Sequence, residues 1–287
     1  MAQSISLHIA VNQCDPSRYA GWVGELEGPE NDCDTMAEIT SNAGFAATKL
    51  KTPEATCQNV IDAIEHAAAS LEHGDTFVIT FAGHGASRKD RSDDEADGRD
   101  ETWCLYDGEF FDDELGGLFT KFKDGVEIIG FFDCCHSATM INDRALSHTT
   151  SGEVVAREPL VAAAIQSGDA RTREMPPEIR ARVRSENAER YRLRKMSPLA
   201  TITDPVEACV LIFSACDDNE ESKELHANGL FTQALKAVWD DGRYNGTYKT
   251  FRDDIVAKLP ESQTPQLSFI GDVEVLIAQR PFAMSYG

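Results

Sequence analysis

Apolar runs of five to seven residues alternate along this chain with longer segments of helical periodicity. The strand-like runs, rich in β-branched and aromatic residues, are residues 5–11, 46–50, 76–82, 126–132, 209–214 and 266–270. The helix-like segments are residues 31–43, 53–71, 113–122, 231–239 and 248–259. Strands that are joined through helices pair in parallel and are buried on both faces. The order therefore predicts an α/β fold in which helices flank a mostly parallel sheet.

Two short strings follow two of these buried strands. Phe-Ala-Gly-His-Gly occupies residues 81–85, and Phe-Phe-Asp-Cys-Cys-His-Ser occupies residues 131–137. Open α/β sheets place their active sites just beyond the carboxyl ends of their strands. We therefore expect His84 and one of the two cysteines to meet in a single crevice.

A cysteine and a histidine in one crevice indicate nucleophilic catalysis. The thiol must lose its proton to attack a carbonyl, and an imidazole can take that proton and later deliver it to the leaving amine. Side chains alternate along a strand, so Cys135 shares the face of Asp133 whereas Cys134 points the other way. His136 would face away from Cys135 if the strand persists, and we expect it to have a structural role.

The two strings resemble those of the metacaspases and orthocaspases, a group of caspase-like cysteine peptidases of peptidase family C14. That group carries Tyr-Ser-Gly-His-Gly around its histidine and Asp-(Ser/Cys)-Cys-His-Ser-Gly around its cysteine. In caspases the histidine lies about 50 residues before the cysteine, and here the interval is 51. The resemblance implies the caspase-hemoglobinase fold, a three-layer α-β-α sandwich, as a single peptidase domain over residues 1–287. It also implies that Cys135 is the nucleophile, that His84 is the base, and that the N–H groups of Gly85 and Cys135 bind the oxyanion.

A pocket for a basic side chain follows from the same resemblance. A negative charge opposes the ionisation of a neighbouring thiol, so Asp133 needs another purpose. In metacaspases the matching aspartate and one from an upstream Gly-Cys-x-Asn-Asp stretch bind the residue before the scissile bond (P1). Residues 28–32, Gly-Pro-Glu-Asn-Asp, resemble that stretch. The implied pocket of Asp32 and Asp133, bordered by Ser214, would select Arg or Lys at P1. Helix capping is the alternative role of Asp32.

Acidic residues after the histidine strand raise the question of a calcium site. Residues 93–98 begin like an EF-hand loop, but the twelfth position is Cys104 rather than a bidentate glutamate, which excludes that motif. Many metacaspases bind calcium with other residues. The calcium ligands that the resemblance implies are Asp100, Asp112, Asp113 and either Asn142 or Asp143. The alternative role of Asp112 and Asp113 is to cap the helix that is predicted to begin at this point.

Residues 144–205 interrupt the alternation between the cysteine strand and the next strand. Their middle part is rich in arginine, and from residue 178 onward it predicts a charged helix with little apolar face. A solvated helix is one interpretation, and a basic lid that is attracted to the acidic groove is another. A peptidase selective for basic residues could also cut itself in this linker, and the candidate sites include Arg171, Arg173, Arg184 and Arg194.

Composition limits the partners of the chain. Its 287 residues include 49 acidic and 27 basic side chains, and the net charge of −22 disfavours nucleic acid and favours cations. The chain begins without a signal peptide, and no apolar run is long enough to span a bilayer. We therefore expect a cytoplasmic protein without membrane contact and with its eight cysteines reduced. We expect no organic cofactor, and the resemblance implies a monomer.

The sequence thus predicts a cysteine endopeptidase that hydrolyses peptides or proteins after Arg or Lys. One alternative is a peptidase of the same clan with a different P1 preference. The other is a catalytically idle caspase-like module that binds a partner or calcium.

Overall fold

The computed structural model describes residues 3–89, 99–135, 147–148, 157, 159–160, 170–201, 203–217, 220–225 and 227–283, with the backbone alone at 88–89, 99–100 and 147–148. The strands are β1 Ser4–Ala10, β2 Ala46–Lys51, β3 Thr76–Ala82, β4 Gly85–Lys89, β5 Arg99–Leu105, β6 Gly108–Phe111, β7 Glu127–Asp133, β8 Ser147–His148, β9 Arg171–Thr172, β10 Cys209–Ser214, β11 Lys223–Leu225, β12 Asn228–Gly229 and β13 Gln266–Ile270. The helices are α1 Pro29–Asn42, α2 Cys57–Ser70, α3 Asp112–Phe119, α4 Pro177–Glu186, α5 Ala188–Lys195, α6 Leu230–Trp239, α7 Tyr248–Ala257 and α8 Glu274–Ile277.

Seven strands form the central sheet in the order β2-β1-β3-β7-β10-β13-β8. The first five strands are parallel, whereas β13 runs antiparallel to β10 and β8 runs antiparallel to β13. The predicted α/β fold with a mostly parallel sheet is confirmed. The register places Ala82, the last residue of β3, beside Asp133, the last residue of β7. The residues that follow these two strands therefore start from the same edge of the sheet.

Helices and a small second sheet cover the two faces of the central sheet. On one face, α2, α3 and strands β4 to β6 enclose a core that includes Phe77 and Trp103. On the other face, α1, α6 and α7 enclose a core that includes Phe213. Ile128 and Ile129, adjacent in β7, belong to the two different cores. This strand is apolar at consecutive positions because it is buried on both faces.

Two short antiparallel sheets lie outside the central one. Strands β4, β5 and β6 follow His84 directly, and β12, β11 and β9 bring residues 171–172 of the predicted linker beside the chain that follows β10. The charged segment after residue 177 forms two helices, α4 and α5, that are separated at Asn187. None of the helices in the described part of the chain has the length and apolar character to cross a bilayer.

Candidate active site

His84 lies in the short link between β3 and β4 and is held from two sides. Its Nε2 donates a hydrogen bond to the carbonyl oxygen of Gly24 at 3.1 Å, and the Trp22 ring packs against the imidazole with centroids 4.8 Å apart. Nδ1 is buried and has no hydrogen-bond partner among the described residues, so this nitrogen keeps a lone pair that can accept a proton. Burial lowers the pKa of His84 to about 4. The imidazole is therefore neutral near pH 7, as a general base must be.

Cys135 lies two residues beyond the end of β7 and is fully buried. Its Sγ accepts a hydrogen bond from the Ser222 N–H at 3.1 Å and lies 3.7 Å from Oγ1 of Thr172. The N–H groups of Gly85 and Cys135 donate to one acceptor, the carbonyl oxygen of Arg173, at 2.9 and 3.4 Å. A Cβ at position 85 would lie 1.9 Å from the Cys135 carbonyl oxygen, so only glycine fits there. The two N–H groups that were predicted to bind an oxyanion thus converge on a carbonyl of the same chain.

Residues 171–175 run through this crevice as an extended strand. On the near side of the Arg173–Glu174 bond, β9 pairs antiparallel with β11, and the Arg173 N–H donates to the Ser222 carbonyl at 2.9 Å. On the far side, the Met175 N–H donates to the Gly85 carbonyl at 2.9 Å. Main-chain hydrogen bonds of this kind are how extended peptides bind beside exposed strands. The segment is therefore held as a substrate strand would be.

The guanidinium group of Arg173 fills a pocket of three carboxylates. Nη2 lies 2.6 Å from Asp32 and 3.4 Å from Glu224. Nη1 lies 3.1 Å from the carboxylate of Asp133 and donates to the backbone carbonyl of the same residue at 3.0 Å. The side chain of Arg173 is 0% exposed. Three negative charges and one positive charge leave the filled pocket with an excess of two negative charges, so the pocket strongly favours a cation.

Asp32 belongs to the first turn of α1, but its hydrogen-bond partners lie outside this helix. Its carboxylate accepts from the Gly229 N–H at 3.1 Å and from Nδ2 of Asn228 at 2.9 Å. None of its hydrogen bonds within the described part of the chain comes from an α1 N–H group, so it does not cap the helix. Burial raises the pKa of Asp32; the positive charge of Arg173 opposes this rise, and the negative charge of Asp133 adds to it. A bound cation therefore favours the ionised carboxylate.

The other two carboxylates are fixed by groups that were not predicted. Asp133 accepts from the hydroxyl groups of Ser222 at 2.7 Å and Thr232 at 2.9 Å. Glu224 accepts from the N–H groups of residues 27 and 28 at 2.9 and 3.1 Å, so it joins β11 to the turn before α1. The sequence gives no motif around Ser222 or Glu224. The only signal was the acidic run 220–221 that precedes them.

Ser214, the third predicted pocket residue, is the last residue of β10. It is buried and lies beside Phe132 of β7 in the parallel register, one residue before Asp133. The predictions for His136 and for residues 93–98 lie outside the described part of the chain.

The predicted calcium ligands are only partly described. Asp112 begins α3, and its carboxylate accepts the N–H groups of Glu101 at 2.9 Å and Asp113 at 2.8 Å. The side chain of Asp100 and residues 142–143 lie outside the described residues. Within those residues, no three His, Cys, Asp or Glu side chains are grouped closely enough to hold a metal ion.

The arginine-rich helices α4 and α5 lie away from the acidic pocket. Arg184 donates to the Ser87 carbonyl in β4 at 2.9 Å, and Nε of Arg194 donates to Glu114 in α3 at 2.9 Å. The pocket itself contains Arg173, upstream of both helices. The helices therefore do not form the lid over the acidic groove that was one interpretation of the linker.

Comparisons with known proteins identify relatives of this chain. The family model of the caspase domain matches residues 14–271. Metacaspase-1 of Candida albicans is 27% identical over 87% of this chain and 62% of its own length. Metacaspase-1 of Schizosaccharomyces pombe is 26% identical over 88% of this chain and 60% of its own length. The chain thus spans about three-fifths of the length of these curated relatives. A crystal structure of protein GSU0716 from Geobacter sulfurreducens is 38% identical with a TM-score of 0.82, and the match covers 99% of this chain and 100% of that chain.

Proposed function

The chain belongs to the caspase-domain family of cysteine peptidases, and we propose that it is an endopeptidase that cleaves after Arg or Lys with Cys135 as nucleophile and His84 as base. One observation carries this proposal. Arg173 occupies the crevice with its side chain among three carboxylates and its carbonyl oxygen on two N–H groups. The segment 171–175 thereby lies in the crevice like a substrate with a basic residue at P1.

The reaction then follows from the groups around the Arg173–Glu174 bond. Nδ1 of His84 takes the thiol proton, and the sulfur attacks the Arg173 carbonyl carbon while the developing oxyanion stays on the two N–H groups. Each such donor is worth about 10²–10³ in rate. The imidazolium returns the proton to the Glu174 nitrogen, the peptide bond breaks, and a thioester remains on Cys135. Water, deprotonated by His84, hydrolyses that thioester and restores the thiol.

The pocket favours arginine over lysine and rejects acidic residues. The two terminal nitrogens of Arg173 serve different acceptors, one facing Asp32 and Glu224 and the other facing Asp133. A lysine ammonium is a single point charge on a shorter stem and cannot reach both sides at once. A carboxylate at P1 would add a fourth negative charge to a buried pocket. We therefore propose the P1 order Arg, then Lys, with no turnover after Asp.

Self-cleavage between Arg173 and Glu174 is the second part of the proposal. Of the four arginines predicted as candidate sites, Arg184 and Arg194 are engaged within the docked helices. Arg171 is 54% exposed and pairs with Glu27 on the surface. Only Arg173 joins the acidic pocket to the oxyanion donors. We infer that the uncut chain blocks its own pocket and that the cut frees the pocket for other substrates.

The test compares the wild-type chain with Cys135→Ala on fluorogenic peptides that differ only at P1, followed by intact mass. We expect turnover after Arg and Lys, and a cut after residue 173, in the wild type alone. Cys209→Ala is the matched control, because this thiol lies at the other end of the sheet, at the start of β10, and its loss leaves both activities unchanged. Full activity in Cys135→Ala would refute the proposal, as would turnover after Asp alone.

Calcium activation and a monomeric state are proposals of the same kind. The Asp112 carboxylate is held by the N–H groups of residues 101 and 113. With Asp100, Asp113 and either Asn142 or Asp143, it would supply the oxygen ligands that calcium prefers. Turnover with calcium and with a chelator tests this set, and equal rates would contradict it. Strand β8 pairs along the outer edge of β13, which supports a monomer. Light scattering after size exclusion would then give the mass of one chain.

A further inference from the structure

The helical segment α4–α5 is anchored in the main core of the domain. Val183 of α4 is 0% exposed, and Tyr191 of α5 is 2% exposed and packs edge-on against the Phe111 ring at 5.4 Å. Met175, just before the helices, is also 0% exposed. All four residues belong to the cluster that packs beneath β3 and β7. The segment is therefore held by buried apolar surface and not by surface charge alone.

Helix α4 also holds the strand that carries the oxyanion donor. The side chains of Arg180 and Arg184 both donate to the carbonyl oxygen of Ser87, at 2.8 and 2.9 Å. Ser87 lies in β4, two residues beyond Gly85. Two guanidinium groups on one carbonyl fix the position of this strand relative to the helix.

A second set of contacts joins the helices to the turn at residues 18–20. Arg182 donates to the Ala20 carbonyl at 2.7 Å, and Nδ2 of Asn187 donates to the Arg18 carbonyl at 3.0 Å. Ala20 has a φ of +55°, a left-handed conformation that is unfavourable for alanine. The contacts from α4 therefore stabilise a turn that the local sequence disfavours.

This turn leads directly to the groups that orient His84. Trp22 packs on the imidazole and the Gly24 carbonyl accepts its Nε2–H. Tyr19, within the turn, lies 6.0 Å from the Trp22 ring. The contacts thus form a continuous series from α4 through the turn to the base.

We propose that α4 and α5 are a lasting part of the active site, which remains bound after the cut beyond Arg173 and positions both the oxyanion strand and His84. This inference rests on the proposed function, because it concerns what self-cleavage releases. Directly upstream of the scissile bond, β9 pairs with β11 over two residues and the Arg173 side chain fills the pocket. Further upstream, the Leu160 N–H donates to the Lys258 carbonyl, and the Arg157 side chain donates to the carbonyls of Pro260 and Gln263. Downstream, a helical pair is packed into the core. The cut therefore frees the upstream end to leave the pocket, while Arg182 stays in place as a positioning residue.

The positioning role is tested with Arg182→Met and a matched control, Arg192→Met, assayed on a peptide with Arg at P1. Arg192 is 55% exposed and its ion-pair partner, Glu189, is in the same short helix. We expect kcat to fall about tenfold or more in Arg182→Met with KM unchanged, because a small displacement of a catalytic group costs one to two orders of magnitude. The control retains the wild-type kcat. The conservative Arg182→Lys should recover part of the loss.

A pH profile separates positioning from a simple loss of stability. In Arg182→Met the acid limb of the pH profile of kcat/KM should shift to a different pH, because the Gly24 carbonyl no longer holds the imidazole in the same position. Equal kcat and an unchanged profile in both variants would overturn the inference. A fall in activity that follows only the unfolded fraction, measured by circular dichroism under the assay conditions, would overturn it as well.

Retention of the helices is tested on the cut wild-type enzyme by hydrogen exchange, because the pairing of β7 with β10 joins the two fragments whether or not the helices stay docked. We expect the amides of α4 and α5 to be as protected in the cut enzyme as in uncut Cys135→Ala. Loss of that protection in a cut enzyme that still hydrolyses the peptide would refute the inference and leave the proposed function intact. A chain that neither cuts itself nor turns over any peptide would refute the proposed function.

Discussion

Replacing Arg173 with glutamine should nearly abolish self-cleavage. The substitution removes the one positive charge that faces carboxylates at 2.6, 3.1 and 3.4 Å inside a pocket without solvent access. Removal of one partner from a buried ion pair costs about 3–5 kcal/mol. Every 1.36 kcal/mol of lost transition-state stabilisation is a tenfold loss in rate. The cut at residue 173 should therefore slow by about 10²–10⁴-fold.

The protein is purified with its thiols reversibly blocked, and a reductant then removes the block. The assay follows the loss of the full-length chain with time by mass spectrometry. Arg171→Gln is the matched control, since that side chain lies two residues away and pairs only with Glu27 at the surface. Surface pairs contribute about 0–1 kcal/mol, so the control should be cut within a few fold of the wild-type rate. Arg173→Lys keeps the charge and should be cut at an intermediate rate.

A second readout examines the pocket rather than the cut. The uncut Arg173→Gln chain should hydrolyse peptides with Arg at P1 from the first moment, because nothing fills its pocket. The wild type should show a lag until it is cut. Cleavage of Arg173→Gln at the same place and at the wild-type rate would contradict the proposed role of Arg173. Equal lags in the two proteins would refute the account of the blocked pocket.

Three other predictions concern the pocket and the base. Glu224→Gln removes a charge-assisted contact worth about 1.5 kcal/mol, so KM for peptides with Arg at P1 should rise about tenfold with little change in kcat; an unchanged KM in steady-state assays would contradict this role. Burial lowers the pKa of His84 to about 4, so the unfolded chain, with an ordinary value near 6.5, binds the proton first and stability falls as pH drops through this range. Between pH 7 and 5 this loss is about 2 kcal/mol. In urea titrations it should be seen in uncut Cys135→Ala and be absent when His84→Gln is added. Gly24→Ala should lower kcat at least tenfold, since φ is +60° and a Cβ would lie 2.6 Å from the indole that packs on the imidazole. Gly74→Ala, with a φ of +87° and open space around it in the turn before β3, should cost stability but not kcat.

The central sheet was predictable because its strands are buried on both faces. A strand such as Thr76–Ala82 is apolar or β-branched throughout, and its limits agree with the prediction from that composition alone. The limits of Cys209–Ser214 and Gln266–Ile270 also agree with the prediction, although these strands contain Ser214, Gln266 and Ser268. Each of these runs is long enough for its apolar composition to be recognised as a buried strand in the sequence.

The strands that build the substrate crevice could not be predicted in this way. Strands β9 and β12 have two residues each and β11 has three, so none has a periodicity to detect. Strands β11 and β12 pair with each other as neighbours in the chain, whereas β9 pairs with β11 from a distant part of the chain. The third carboxylate of the pocket, Glu224, enters through this pairing and belongs to no motif. Arg173 was one of several equivalent arginines in the sequence of the linker, and only the path of the chain distinguishes it.

Gly85 uses both of its main-chain groups on the bound segment, one on each side of the bond that is cut. Its N–H faces the carbonyl of Arg173, and its carbonyl accepts the N–H of Met175. In the proposed reaction, the second residue after the cut is therefore recognised by its amide hydrogen, whatever its side chain. Proline at that position has no such hydrogen, so protein sequences with Arg-x-Pro should escape cleavage. In dye-labelled arginine amides the dye is the leaving group, so the second residue after the cut is absent. The rate of hydrolysis of such substrates should therefore be lower than the rate of cleavage of a polypeptide.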